Sequence, residues 1–157
     1  MRASGIEVTS VSVYGSAARA CLDRYFDELA ARFPEGYDPK SDGAAELEDF
    51  TPPAGVFFVA RISGEPVGCG ALRAFAPGIG EIKRMWVSPQ FRGQGVARKL
   101  LGALEGAARA RELRSVRLDT HSSLTQALEL YRASGYREIL RFNDNPYAHH
   151  WFEKALD

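Results

Sequence analysis

Cysteine is scarce. Cys21 and Cys69 are the whole complement of the 157 residues, and their spacing fits neither a metal cluster nor a redox pair. Two buried thiols in a reducing compartment account for them, so the chain is expected to be cytoplasmic. Net charge is lacking too. Twenty basic side chains offset twenty acidic ones, which leaves no surplus to grip a phosphate backbone and excludes nucleic acid as the expected partner. No apolar run is long enough to cross a bilayer, so no membrane partner is expected. The opening Met1-Arg2-Ala3-Ser4-Gly5 lacks the apolar centre of a secretory signal. His121, His149 and His150 are the only histidines, too few and too poorly spaced for a metal centre, so no metal is expected.

What is present is an ordinary folded composition, 45% apolar and 25% charged, at the length of one domain. Ile6–Val13 reads as a strand, and Ser16–Phe33 as a helix with a broad apolar face, capped by Ser16. A loop follows, then a short helix over Ser41–Phe50, capped by Ser41 or Asp42. Val56–Ile62 is a continuous apolar strand suited to a sheet interior. Ser63-Gly64-Glu65 turns the chain into Pro66–Phe75, and a second turn leads to Glu81–Val87, giving an antiparallel meander. Beyond the next helix, which runs to about Arg111, Val116–Asp119 is a strand parallel to the preceding one, because a helix crosses between them. Thr125–Ser134 is a helix closed by Gly135, Tyr136–Leu140 a strand, and Ala148–Leu156 the last strand.

The most informative stretch is Glu81–Leu104, EIKRMWVSPQFRGQGVARKLLGAL. Pro89 stops its strand, and Ala97, Leu100, Leu101, Leu104 and Ala108 follow helical spacing. Between them lies Arg92-Gly93-Gln94-Gly95. A helix start carries unpaired N–H groups and a partial positive charge, and glycine lets a bulky anion come close. The loop therefore suits a diphosphate. It is not a Walker loop, having no following Gly-Lys-Ser/Thr, and it lacks the third glycine of a dinucleotide fingerprint.

Arg92-Gly93-Gln94-Gly95-Val96-Ala97 fits Gln/Arg-x-x-Gly-x-Gly/Ala and follows a strand ending in Val-Ser-Pro. Ala127-x-x-Leu130-Tyr131-x-x-x-Gly135-Tyr136 matches a second pattern, Ala-x-x-Leu-Tyr-x-x-x-Gly-Phe/Tyr. Together they resemble the GNAT (general control-related) N-acetyltransferase superfamily over roughly Val56 to Leu140. One departure stands at Leu124, where the family often has an asparagine on the cofactor; Ser122, Ser123 and Thr125 are the alternatives.

The resemblance implies an α+β fold: a twisted, mostly antiparallel sheet of six to seven strands, about four helices, and two central parallel strands splayed for the cofactor. It implies one acyltransferase domain over residues 1–157. The expected activity is acyl-CoA-dependent N-acyl transfer, with acetyl-CoA as donor and direct attack by a primary amine in a ternary complex. Small molecules and peptides both stay open as acceptors, and a homodimer stays open. Glu81 is the expected general base and Tyr131 the acid that protonates the leaving thiolate. Met85, Trp86 and Val87 occupy the bulged segment that admits pantetheine, with the Val87 amide as oxyanion donor. Arg92, Gly93, Gln94, Gly95, Val96, Ala97 and Arg98 would hold the diphosphate. Phe33, Tyr37 and Phe50 are candidates to line the acceptor side, Asn143 and Tyr147 candidates to close it, and only one of His149 and His150 can face the cleft. A non-catalytic acyl-CoA sensor on the same fold is the rival reading; a simple phosphate binder would leave the second motif unexplained.

Overall fold

The computed structural model describes residues 5–41 and 47–157. Seven strands form one sheet: β1 (Ile6–Val11), β2 (Gly55–Ile62), β3 (Glu65–Ala76), β4 (Ile79–Val87), β5 (Ser115–Thr120), β6 (Arg137–Ile139) and β7 (His150–Ala155). Their order is β1-β2-β3-β4-β5-β7-β6, and β4–β5 is the one parallel pair. The α-helices are α1 (Ser16–Arg32), α2 (Val96–Ala110) and α3 (Thr125–Ala133). This is the expected mixed α+β architecture; the described residues hold three α-helices and short 3-10 turns, where about four helices were expected.

The apolar run of β2 reflects cover on both faces. Val56 joins a core with Leu101, Leu104 and Ala108 of α2, while Phe57 and Val59 join one with Ala18, Cys21 and Leu22 of α1. A strand between two helical layers has no solvent face on which to alternate polar residues. On β3, the small Gly68 and Gly70 let α2 sit close to the sheet. A Cβ at Gly70 would stand 2.7 Å from Met85 Sδ and 2.9 Å from Leu104 Cδ1.

Two local expectations change. Gly15, not Ser16, is the N-cap of α1, with no side-chain cap hydrogen bond. The expected helix over Ser41–Phe50 lies partly outside the described residues; in the described part Ser41 ends a 3-10 turn, Pro39–Ser41, and Leu47–Phe50 is another.

The feature that positions the site is a fork. β4 and β5 pair only where Ile79, Gly80 and Glu81 face Ser115, Val116 and Arg117. Past Glu81 they part, although β4 stays bound to β3 as far as Val87 and β5 to β7 as far as Thr120. β4 carries one residue more than β3 between the pairs Ala71–Lys83 and Cys69–Trp86. Arg84, inside that bulge, has a left-handed φ of 60°. A bulge bends its strand and raises the local twist, which turns β4 away from β5. The bulge thus sits at Arg84–Met85, at the near edge of the Met85–Val87 segment read from the sequence.

Candidate active site

The fork opens into two adjoining cavities. The larger, about 630 Å³, lies between α1, the end of β4, the start of α2 and α3. The smaller runs deeper between β4 and β5, reaching Asp119, His121, Asn145 and Tyr147. Tyr25, Leu29, Met85, Leu124, Ala127 and Tyr131 line both, so they form the passage between the two.

The larger cavity ends on the glycine loop. Gly93 and Gly95 both have positive φ, 81° and 92°, a conformation that side-chain-bearing residues adopt only with strain. Gly95 is the N-cap of α2 and offers no side chain to the first-turn N–H groups. Helices lacking a side-chain cap leave those donors to water or a ligand. Gly93, Gly95, Val96, Ala97 and Arg98 all line this cavity, as do Met85, Trp86 and Val87. The arrangement fits the diphosphate of a coenzyme A thioester.

Arg92 lines the same cavity, with its guanidinium engaged by protein groups. Its Nη2 donates to both carboxylate oxygens of Glu28, at 2.7 and 2.8 Å, and its Nε donates to the Val87 carbonyl. Trp86 Nε1 donates to the same Glu28 at 2.9 Å. Burial pushes the Glu28 carboxyl up, but the hydrogen bonds from Arg92 and Trp86 outweigh it and leave the group below its usual range. Glu28 was not legible in the sequence: on α1 it is spaced like a solvated ion-pairing residue, four before Arg32.

Tyr131 is 5% exposed and stands at the passage. Burial raises its phenol pKa, with the Asp119 charge adding to the rise. The hydroxyl is therefore fully protonated at neutral pH, the state an acid needs.

Glu81 sits at the vertex of the fork, 2% exposed. Its Oε1 accepts from Arg73 at 2.9 Å; its Oε2 accepts from Asn143 at 3.2 Å and lies 3.8 Å from Lys83 Nζ. It does not line either cavity. Asn143 Nδ2 also donates to Asp119 Oδ2, so one amide joins the two carboxylates. Asp119, unnoticed in the sequence, ends a short Val-Arg-Leu-Asp strand, and only the fork gives that position meaning.

Beside the deeper cavity, Phe33 stacks on His121 with centroids 3.8 Å apart, and Tyr37 and Tyr147 pack beside them. Tyr147 and Phe33 line the deeper cavity; Phe50 is buried in the α1 core instead. His149 faces His121, while His150 pairs with Glu138.

Glu35, His121 and His149 bring ligand-capable atoms within 4.8 Å of one another. Their hydrogen bonding opposes metal ligation. His121 Nδ1 accepts from the Ser123 N–H and His149 Nδ1 from the Ser122 N–H, both at 3.0 Å. In a neutral His121 ring the proton then sits on Nε2, the nitrogen 3.4 Å from Glu35, which leaves that nitrogen no lone pair to give. Burial and the nearby His149 hold the His121 pKa below its usual value, against the pull of Glu35.

Comparison with known proteins agrees with this geometry. The sequence model of the Acetyltransferase (GNAT) family matches residues 22–136. A curated relative, the IAA acetyltransferase of Azospirillum brasilense, is 37% identical over 118 residues, covering 74% of this chain and 72% of its own. A solved Klebsiella pneumoniae structure, named for the acyl-CoA N-acyltransferase class, superposes with a TM-score of 0.78 at 29% identity, covering 99% of this chain and 100% of its own. A GNAT family acetyltransferase from Elizabethkingia anophelis, solved with acetyl-CoA bound, superposes with a TM-score of 0.67 at 19% identity over 98% of this chain and 99% of its own. A chain with this family match, this degree of identity and this forked sheet belongs to the GNAT acetyltransferase family.

Proposed function

We propose that this chain, acting as one domain over residues 1–157, transfers an acetyl group from acetyl-CoA to a primary amine by direct attack in a ternary complex. The observation that carries the reading is the fork with its two ends: uncapped first-turn amides of α2 at one, and Tyr131 at the passage to a second cavity. Gly93 to Arg98 hold the diphosphate mainly through main-chain N–H groups. Met85, Trp86 and Val87 flank the pantetheine.

The Ser88 N–H donates to Val67 on β3 at 2.7 Å. By strand alternation the Val87 N–H, one residue back, is directed to the opposite edge, into the fork. That supports Val87 as the oxyanion donor. Tyr131 gives its proton to the departing thiolate. The proton of the amine passes to the carboxylate pair Glu81 and Asp119, which the Asn143 amide joins. This acceptor is a small molecule or a peptide amine.

Acetyl-CoA at millimolar concentration should raise the melting temperature by several degrees, since it binds only the folded chain. A panel of primary amines, read by release of free CoA thiol, then tests transfer. Binding without thiol release from any amine would favour a non-catalytic acyl-CoA sensor; no thermal shift would remove the acyl-CoA reading itself.

A further inference from the structure

The two carboxylates of the fork are built for different work. Glu81 is enclosed, with Arg73, Lys83 and Asn143 around its two oxygens. Asp119 lines the deeper cavity beside Tyr131. It accepts one hydrogen bond per oxygen, from Asn143 at Oδ2 and from Asn145 at Oδ1, the latter at 3.1 Å. A carboxylate has about four lone-pair sites, so Asp119, which lines the cavity, has capacity beyond these two bonds. Asn143 cannot turn its amide over without loss, because its Oδ1 already accepts from the Trp151 indole at 2.9 Å and from the Asn145 N–H at 3.2 Å. Its Nδ2 is thereby fixed between Glu81 and Asp119.

We propose that Asp119 is the group that touches the acceptor nitrogen and takes its proton, and that Glu81 is a positioning residue acting through Asn143. The proposal rests on the acetyl-transfer reading above. In the step, an ammonium acceptor gives one proton to Asp119 and becomes the free amine. Nitrogen then attacks the thioester carbonyl: the N–C bond forms and the C–S bond breaks. The thiolate takes the Tyr131 proton, the surplus proton on nitrogen restores Tyr131, and Asp119 returns its proton to water. One ammonium and one thioester thus give one amide, one thiol and one released proton. Groups facing Asp119 across the cavity are Lys83 and Arg84 from β4, Tyr131 from α3, Tyr25 from α1, and His121 and Tyr147 from the loops after β5 and before β7.

The test is the pH dependence of kcat/KM for wild type, Asp119→Asn and Glu81→Gln, on a panel of phenylethylamine, an α-amino acid, a diamine and a short peptide with free amines. Folding is checked by melting temperature and acetyl-CoA affinity. Wild type should lose activity on the acid side as its base becomes protonated. Asp119→Asn should fall by about 10²-fold or more at neutral pH and lose that acid limb. Glu81→Gln should fall less and keep the limb, displaced. Asp119→Ala, which opens the same space, should recover turnover with added formate. Asp119→Asn retaining both turnover and the acid limb, or Glu81→Gln alone abolishing the limb, would overturn the assignment while leaving acetyl transfer intact. An unfolded Asp119→Asn is decided by the alanine variant: no formate recovery there overturns it too. No thiol release by wild type with any amine would overturn the transfer reading and this inference with it.

Discussion

Glu28 holds two parts of the larger cavity's wall at once, the Trp86 indole and the Arg92 guanidinium. Its charge also faces the cavity assigned to an anionic ligand. Glu28→Gln removes that charge and releases Arg92 while keeping a side-chain oxygen for Trp86. Acetyl-CoA should then bind about fivefold tighter, in keeping with about 1 kcal/mol for a partly exposed charge interaction, as titration of tryptophan fluorescence would show. Weaker binding would mean that the Glu28–Arg92 clasp orders the loop. At the passage, Tyr131→Phe removes only the hydroxyl. It should lower kcat by about 10²-fold with acetyl-CoA affinity unchanged, measured by steady-state kinetics and calorimetry; an unaltered kcat would remove the acid role. Some residues were readable in advance and some were not. Tyr131 falls in a spaced motif, and spacing survives in one dimension. Asp119 and Glu28 meet their partners across 24 and 64 positions of chain, and no local pattern encodes such a meeting.

Among the elements, the start of α2 bears the heaviest demands. Gly95 must be left-handed, at φ 92°, and must also stay bare. Gly95→Ala costs about 1 kcal/mol in backbone strain and sets a methyl beside the anion site. Acetyl-CoA affinity should fall further than stability does, and equal effects on both would argue against a ligand there. The underside of the same helix constrains β3. Gly70→Val would press on Met85 and Leu104, costing about 1–3 kcal/mol from overpacking and lowering the melting temperature. Strand, break, loop and helix were all legible because each has a local cause: β-branched runs, Pro89, paired glycines, and a 3.6-residue apolar period. The cap of α1 was not. Ser16 has the right side chain, but the chain enters the helix through an extended Gly15.

Taken whole, the molecule is a sheet clamped between α1 on one side and α2 with α3 on the other. Among the described residues no helix is long and apolar enough to cross a membrane. His121 ties distant parts together: it follows β5, stacks on Phe33 beyond α1, and packs against His149 before β7. Its folded pKa lies below its unfolded value of 6.5. A depressed pKa means the folded state resists protonation. The stability tied to it is fully present above pH 6.5 and is lost as pH falls through the lower folded value. Melting curves from pH 7.5 to 5 should fall more steeply for wild type than for His121→Gln; parallel curves would show that His121 does not govern the loss.

By itself the sequence determined the strands, the helices, the parallel crossover and the glycine loop before α2, because propensity, periodicity and turn chemistry act over a few residues at a time. It also carried the family, through two motifs whose spacing is linear. Only the tertiary structure decided where the bulge falls, that Arg92 is held by Glu28, and that Glu81 is enclosed while Asp119 opens to the cavity. Those outcomes depend on which side chains the sheet order brings together, and burial and charge pairing are settled only when distant segments meet.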